Sequence, residues 1–234
     1  MKINKALILS IIALIILAGY NFSHGQAETY NYAGERALYS IKPTGQAEYH
    51  DLGIVDLNGA KVDLITFKTK ALFFEDTEKI YSDPVSSLPI RVERNISTPL
   101  GKEYIIEEYD QKNFTIIFKK FKKNKLISEW TVKADGPVYN AITLPFFISR
   151  TQGFKPGWHF TARVPGEFKL KLVSTDKIIV PAGKFQVYHF KSTPDKFEIW
   201  INKDNPQIPL KIQGKGVFGY SLSMKEYSFH DNIK

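Results

Sequence analysis

The 234-residue chain contains no cysteine and only two methionines. The missing cysteine excludes disulfides, thiolate metal ligands, a cysteine nucleophile and a lipid anchor attached through cysteine. Long stretches of helical periodicity are also missing, which argues against a helical bundle. Hydrophobic residues make up 43% of the chain and charged residues 24%, and this balance is typical of a globular protein with a sizeable core.

A long apolar run occurs at the N-terminus. Two lysines precede residues 6–18, which are apolar apart from one serine, and small residues follow as far as Ala27. This arrangement is typical of a secretory signal peptide, and the run is short for a membrane span, which needs roughly 17 residues or more. We expect residues 1–27 to be a signal peptide cleaved after Ala27 or Gly25, and residues 28–234 to be one exported domain, periplasmic or secreted. An uncleaved N-terminal anchor is the alternative.

The remaining sequence alternates between apolar and polar residues, with turn residues about every ten positions, which predicts antiparallel strands. Asn58-Gly59 predicts a hairpin with a type I′ turn. Separate strands are predicted around residues 168–172 and 178–180. Residues 137–150 are the one helix candidate, and Pro145 limits it to a short helix followed by a loop. We therefore predict a mainly β fold: an antiparallel barrel or half-barrel of about a dozen strands, with one short helix at most.

Two glycine-containing motifs resemble those of nucleotide and hydrolase sites. Residues 214–219 match G-x-G-x-x-G, but the alternation that follows predicts a strand where a dinucleotide site needs a helix. Residues 219–223 approach G-x-S-x-G, but they end in serine and lack the strand-to-helix turn of a nucleophile elbow. We therefore predict no cofactor and no catalytic residue, and we expect that the chain is not an enzyme.

Histidines and carboxylates are the other candidates for chemistry. No two histidines have the H-x-x-x-H or H-x-H spacing of metal ligands, so no metal site is predicted, and His189 is interpreted as a packed or edge residue. Glu103, Glu107, Glu108 and Asp110 cluster on one strand and its turn. We interpret Glu103 and Glu107 as a solvent face opposite lysines of a neighbouring strand. A pair of catalytic carboxylates is the alternative.

Lysines are densest in one short segment of the chain. The candidate residues for contact with an anionic surface are Lys119, Lys120, Lys122, Lys123 and Lys125. Such a cluster fits lipid headgroups, while nucleic acid is not an expected partner of an exported protein. The alternative is a hairpin tip that lysines keep soluble and protect against edge-to-edge pairing.

Aromatic residues concentrate between positions 146 and 160, around a single arginine. Aromatic rings with one basic group in an irregular segment are typical of an apolar pocket with a polar anchor. The alternative is core packing beneath a long connection. The candidate ligand-binding residues are Phe146, Phe147, Arg150, Trp158 and His159.

Several short motifs are similar, in their order along the chain, to those of a known family. The motifs are Gly34-Glu35 before Leu38-Tyr39-Ser40, Gly136-Pro137, residues 147–150 before Pro156-Gly157, residues 180–185, Trp200-Ile201 and Ile208-Pro209. With these motifs the chain resembles the exported bacterial proteins grouped as domain-of-unknown-function family 3108. The resemblance implies an exported, antiparallel, barrel-like or half-barrel β domain, and it implies no established activity and no catalytic residues.

The expected function follows from this fold. We expect a non-enzymatic envelope protein that binds an apolar or amphipathic ligand, such as a lipid, in the mouth of a β-barrel. The alternative is a structural or assembly factor that binds an envelope protein through a sheet edge or the lysine-rich hairpin. Membrane contact would be transient or made through an uncleaved N-terminal segment. A hydrolase would need a Ser–His pair or convergent acids in one cleft.

Overall fold

The computed structural model of the protein describes residues 32–215 and 219–229. The predicted signal peptide, residues 1–27, lies outside them. The described residues form one sheet of fourteen strands and one short helix, α1. This confirms the prediction of a mainly antiparallel β fold, with fourteen strands instead of about a dozen. No helix in this part of the chain is long and apolar enough to cross a lipid bilayer.

The helix lies between the eighth and the ninth strand of the chain. The bounds are β1 Glu35–Lys42, β2 Gln46–Leu57, β3 Ala60–Ala71, β4 Phe74–Ser82, β5 Pro89–Thr98, β6 Gly101–Asp110, β7 Thr115–Lys122, β8 Lys125–Lys133, α1 Leu144–Ser149, β9 His159–Val164, β10 Gly166–Val180, β11 Gly183–Thr193, β12 Phe197–Asn202, β13 Pro209–Gly214 and β14 Ser221–Phe229.

Two meanders make up the sheet. Strands β1 to β8 follow one another as neighbours, strands β9 to β14 do the same, and β1 pairs with β14 to join the two series. All of these pairs are antiparallel. The sheet is not closed, so β8 and β9 are its two edges and the architecture fits a half-barrel.

The turns explain where the strands begin and end. Asn58 and Gly59 have φ angles of 55° and 87°, as the predicted type I′ turn requires, and Asp56 Oδ1 accepts a hydrogen bond of 2.8 Å from the Gly59 backbone N–H. The two strands predicted around residues 168–172 and 178–180 are one strand, β10. A bulge at Val173 lets β10 stay paired with β11 on both sides of this residue.

Helix α1 covers part of one face of the sheet. Pro145 lies in its first turn, where the missing backbone N–H costs no intrahelical hydrogen bond, so the helix begins near the proline rather than stopping before it. The Phe146 ring stacks on Tyr49 with the ring centroids 3.6 Å apart. We call the sheet face that carries Tyr49 and α1 the inner face.

The cover over the inner face ends before the edge strand β8. Cross-strand pairs continue the inner face from Tyr49 to Phe67, and then through Glu78 and Arg94 to Ile105. We call strands β6–β8 the wing. On the inner face of the wing the side chains become more exposed toward the edge, from 2% at Ile116 on β7 to 42% at Trp130 on β8.

Candidate functional site

Arg150 follows the last turn of α1 and holds the helix to the sheet. Its Nη2 donates to Glu35 Oε2 at 2.5 Å, Tyr49 Oη at 3.2 Å and Asp51 Oδ2 at 3.4 Å. Its Cζ also lies 3.5 Å from the centre of the Tyr32 ring, which is a cation–π contact. These contacts tie α1 to β1 and β2, and they occupy the guanidinium with groups of the protein itself.

Glu35 and Asp51 beside Arg150 are buried, and Asp63 nearby is half-buried. Burial raises the pKa of Glu35 although Arg150 opposes the shift. Burial, together with the negative charge of Asp51, raises the pKa of Asp63 to about 6. A cavity of about 10 Å³ lies between Asp63, Arg150 and Phe146, which is about the space that one water molecule needs. This site is compact and polar.

A second half-buried arginine, Arg94 on β5, lies farther along the inner face. It forms an ion pair with Asp76, and its Nε lies 3.3 Å from Glu78 Oε1. Burial, reinforced by the charges of Asp76 and Glu107, raises the pKa of Glu78 to about 7. Burial also raises the pKa of Glu107, which accepts a hydrogen bond of 2.6 Å from the Tyr109 hydroxyl. Asp76 Oδ1 has no hydrogen-bond partner among the described residues.

The position of Glu107 differs from the prediction of a solvent-exposed face. It is 8% exposed and lies on the inner face, because it pairs with Val92 on β5 and Phe118 on β7. Glu103 does meet the predicted lysine partner, with its Oε2 2.7 Å from Lys120 Nζ. Glu108 lies on the opposite face, where its Oε2 is 2.6 Å from Lys119 Nζ.

A groove of about 570 Å³ lies at one end of the inner face. It lies between the β4–β5 loop and the β6–β7 turn. Leu88, Ile90 and the Tyr109 ring supply apolar lining, and the polar lining residues are Asp83, Ser86, Asp110, Gln111 and Lys112. The groove therefore combines an apolar wall with charged groups of both signs.

Gln111 fixes one wall of this groove. Its Nε2 donates to the Pro89 and Val138 carbonyl oxygens, each at 2.9 Å, and its Oε1 accepts from the Val138 backbone N–H at 3.0 Å. These bonds fasten the β6–β7 turn both to the start of β5 and to the segment that precedes α1. The groove is held open by hydrogen bonds between elements that are distant in the sequence.

An apolar strip runs from the groove along the inner face of the wing. Tyr109 on β6 pairs with Ile116 on β7, and the next row of the same face contains Phe118 and Trp130. The Phe118 and Trp130 rings are stacked with their centroids 5.0 Å apart. Trp130 is among the exposed hydrophobic residues, so this strip is partly open.

Three of the five predicted ligand-binding residues, Phe146, Phe147 and Arg150, line the small cavity of about 10 Å³, and Trp158 and His159 lie outside it. Phe146 is buried against Tyr49, and Arg150 is engaged by carboxylates as described above. Phe147 and Trp158 both contact the Phe160 ring, with centroid distances of 5.6 Å and 6.4 Å. His159 is exposed at the start of β9. The ligand role of these residues stays a prediction, and the cavity that three of them line has room for about one water molecule.

The five predicted surface lysines divide into two groups. Lys119 and Lys120 are half-buried in the ion pairs with Glu108 and Glu103. Lys122, Lys123 and Lys125 are exposed around the β7–β8 turn. The contact of the five lysines with an anionic surface also stays a prediction. Lys122, Lys123 and Lys125 are the three that are exposed for such a contact.

A polar group on β10–β12 was missed by sequence reasoning. Ser174 Oγ lies 3.4 Å from His189 Nδ1, and His189 Nε2 lies 2.6 Å from Glu198 Oε2. The three residues meet only through strand pairing, so no local spacing indicates them. The serine hydroxyl donates instead to Asp176 Oδ2 at 2.8 Å, and the His189 ring stacks on Trp200 with centroids 4.4 Å apart. These contacts describe a packed polar strip, as predicted for His189, and not an activated serine.

The glycine motif at residues 214–219 lies partly outside the described residues, which omit 216–218. Strand β14 follows this motif, as predicted, in the place where a dinucleotide site would have a helix. The near-match at residues 219–223 also runs into β14 and not into a helix.

Comparison with known proteins gives one match. No curated protein matches the chain, and no solved structure matches it. A family model matches residues 55–225, well over half of the chain, and this segment includes the Arg94 cluster, the groove and α1. The family is described as a protein family of unknown function, in agreement with the motifs noted in the sequence. The chain therefore belongs to the DUF3108 family.

Proposed function

We propose that this chain is an exported, non-enzymatic binding protein that takes an apolar or amphipathic ligand in the mouth of its half-barrel. The observation that carries this proposal is the groove of about 570 Å³, whose lining residue Tyr109 lies on the partly exposed inner face of the wing. Ligand pockets commonly have volumes of roughly 300–1,000 Å³ and are mostly apolar. The signal-peptide pattern of residues 1–27 supports export.

The lining of the groove favours a molecule with two chemically different ends. An apolar chain would lie against Ile90 and Tyr109 and continue along the Phe118–Trp130 stack. Asp83 and Asp110 also line the groove, and their carboxylates already accept hydrogen bonds from backbone N–H groups of their own turns. A polar head would remain near Lys112, at the solvent side of the groove, where a lysine favours an anionic group. A fatty acid or another single-chain lipid has this chemistry.

The proposal places the ligand on the wing and not beside α1. Around α1, Arg150 already contacts Glu35, Tyr49 and Asp51, and the recorded cavity there has room for about one water molecule. Releasing Arg150 to a ligand would leave buried carboxylates without their cation, which costs several kcal/mol. The wing requires no such rearrangement, because its apolar strip is already partly exposed.

Two measurements test this function. Mass spectrometry of small molecules extracted from the natively purified protein should identify the ligand. Titration with a dansyl-labelled fatty acid should show binding, and Trp130→Ala should weaken it about tenfold because one member of the aromatic stack is lost. Absence of probe binding by the wild-type protein would contradict the proposal.

The matched control lies on the opposite face of the same wing. Tyr104 and Phe121 form an aromatic pair there, with ring centroids 6.0 Å apart. Tyr104→Ala removes a comparable ring without touching the inner face, so it should leave the affinity for the probe unchanged. If Tyr104→Ala and Trp130→Ala weaken the probe equally, the ligand does not lie on the inner face.

A second candidate function rests on the edge strand β8. All residues of this strand except Val132 are exposed, so its outer backbone edge is available to a strand of another protein. This favours the alternative of an assembly factor that binds an envelope protein. Crosslinking in intact envelopes separates the two functions, because one abundant protein partner supports assembly, whereas co-purified lipid supports ligand binding.

A further inference from the structure

Four turns of the first meander lie side by side at one end of the sheet. Strands β1 to β8 are consecutive antiparallel neighbours, so the β1–β2, β3–β4, β5–β6 and β7–β8 turns all fall at the same end. Neighbouring strands are about 4.8 Å apart, so the tips of successive hairpins at this end are roughly 10 Å apart. We call this end the lysine end, because its turns carry several exposed lysines.

Large apolar side chains occupy two of these hairpin tips. Leu72 and Phe73, in the β3–β4 turn, are 73% and 70% exposed, and Leu100, in the β5–β6 turn, is 91% exposed. Hairpin turns usually carry glycine, asparagine, aspartate or serine. Apolar residues clustered on a surface mark a site of interaction when they lie close together, as the strand order requires here.

The same turns are strongly basic. The four turns, each taken with one or two flanking strand residues on either side, are residues 41–46, 70–75, 97–102 and 121–126. Together they contain six lysines and one glutamate. The lysines are all exposed: Lys42, Lys70, Lys102, Lys122, Lys123 and Lys125.

The opposite end of the same meander has a different composition. Its turns lie within residues 56–61, 82–89 and 109–115, which contain two lysines and three aspartates. The excess of positive charge therefore belongs to one end of the meander and is not a general property of its turns. The end with the excess of lysines is also the end that carries Leu72, Phe73 and Leu100.

We propose that the lysine end docks onto an anionic lipid surface. Leu72, Phe73 and Leu100 would enter the boundary between headgroups and acyl chains, and the lysines would contact the lipid phosphates. Charge complementarity selects anionic lipid, and the projecting apolar tips favour a lipid surface over a purely ionic partner such as an acidic protein. The proposal does not depend on the groove or on its ligand.

Vesicle co-sedimentation of the exported protein tests this docking. The protein, with its N-terminus determined, is mixed with phosphatidylcholine vesicles with or without about 30% phosphatidylglycerol. We expect binding to the anionic vesicles, weaker binding to the neutral ones, and a decrease at high salt. Leu72→Ser combined with Phe73→Ser, and separately Lys122→Gln combined with Lys123→Gln and Lys125→Gln, should each reduce binding at least about tenfold.

Matched control variants lie at the opposite end of the meander. Val85→Ser removes an 80% exposed apolar side chain, and Lys61→Gln with Lys133→Gln removes two exposed lysines that lie outside the groove. These variants should bind the anionic vesicles as the wild type does. Because all variants are made in the same chain, any contribution from residues 1–27 is common to them.

Three results would overturn the docking proposal. They are the absence of wild-type binding to anionic vesicles, unchanged binding of the lysine-end variants, and an equal loss in the control variants. Circular dichroism checks that each variant is folded. As an independent measurement, Phe73→Trp should shift its fluorescence to shorter wavelength with anionic vesicles, while Val85→Trp should not. Equal spectra for both would also count against docking.

Discussion

Beneath α1 the inner face of the sheet is closed, whereas along the wing the same face is partly open. Under the helix, Phe146 stacks on Tyr49, and Arg150 is surrounded by buried acidic groups. On the wing, Phe118 and Trp130 stack on each other with solvent beside them. Strands with a similar alternation thus build a core where a helix covers them and an accessible surface where none does.

The largest expected loss of stability follows from a change in the covered half, by which we mean the part of the sheet beneath α1. Arg150→Ala leaves Glu35 and Asp51 buried without their cation, which should lower the free energy of unfolding by about 3–5 kcal/mol. Lys119→Ala breaks an ion pair of the wing that is partly exposed, so it should lower the free energy of unfolding far less than Arg150→Ala does. Urea unfolding measures both. Similar losses of unfolding free energy for the two variants would show that ion pairs contribute equally to stability beneath α1 and on the wing.

Two tryptophans compare the packing of the covered half and the wing. Trp158 packs against Phe154 and Phe190, with centroid distances of 5.1 Å and 5.3 Å, so Trp158→Ala should cost about 3 kcal/mol. Trp130→Ala should cost about 1 kcal/mol or less because its ring is partly exposed. Thermal melting followed by circular dichroism gives both values. A small loss for Trp158→Ala, together with lost ligand, would instead favour a pocket among the aromatic residues near α1.

The pH dependence of the free energy of unfolding should differ between variants of Glu78, on the inner face, and of Glu108, on the opposite face of the wing. Burial raises the pKa of Glu78 from 4.5 to about 7. The negative charges of Asp76 and Glu107 raise it further, and the positive charge of Arg94 opposes the shift. The folded protein therefore binds more protons than the unfolded chain between these values. The free energy of unfolding should fall by about 2–3 kcal/mol as the pH rises from about 4.5 to about 7, and this contribution should be level above that.

Glu78→Gln should make this decline smaller, as measured by urea unfolding at a series of pH values, while the raised pKa values of Asp63, Glu35 and Glu107 keep part of it in place. Glu108, on the opposite face of the wing, has a pKa lowered by its hydrogen bond with Lys119. Glu108→Gln should therefore leave the whole decline between pH 4.5 and 7 in place. An unchanged decline in Glu78→Gln would assign it to the other buried acids, of which Asp63 is the first to examine.

The last comparison concerns two glycines in hairpin turns. Gly59 is in the β2–β3 turn and Gly101 follows the β5–β6 turn, with φ angles of 87° and 124°. A Cβ atom at either would meet nothing within 4 Å, so the cost of Gly59→Val or Gly101→Val is backbone strain of about 1–2 kcal/mol. Hydrogen exchange should show global destabilisation for Gly59→Val and faster exchange confined to the wing for Gly101→Val. An unchanged melting temperature for Gly59→Val would contradict the turn assignment.

Much of the fold could be predicted because strand alternation and turn residues are local properties. The Asn58-Gly59 turn and the short helix near Pro145 are examples, and both are present. The pairing of β1 with β14 could not be predicted, since it joins residues nearly 200 positions apart. The bulge at Val173 was missed for a related reason: a strand of 15 residues can bend and stay paired while its alternation is interrupted.

The candidate site was harder to predict than the fold. Ile90 and Tyr109 lie on strands whose alternation is that of any half-buried strand, and nothing local shows which face a helix will cover. Glu107 illustrates the same limit, because its neighbours in the sequence indicate a charged surface while the sheet places it inside. Arg150 was predicted as the polar anchor of a ligand pocket, and its acidic partners could not be predicted because they come from strands about 100 residues away.

The pairing of β1 with β14 also has a consequence for the order in which the molecule can assemble. The Tyr39 hydroxyl donates to the Pro209 carbonyl oxygen at 2.8 Å across 170 positions of the chain. During synthesis the N-terminal meander emerges first, and β1 has its second neighbour only after β14 has left the ribosome. Such long-range closure slows folding and leaves strand edges unpaired in the meantime. A truncated chain that ends before β14 would expose the edges of both β1 and β13, which makes it a natural substrate for chaperones and proteases.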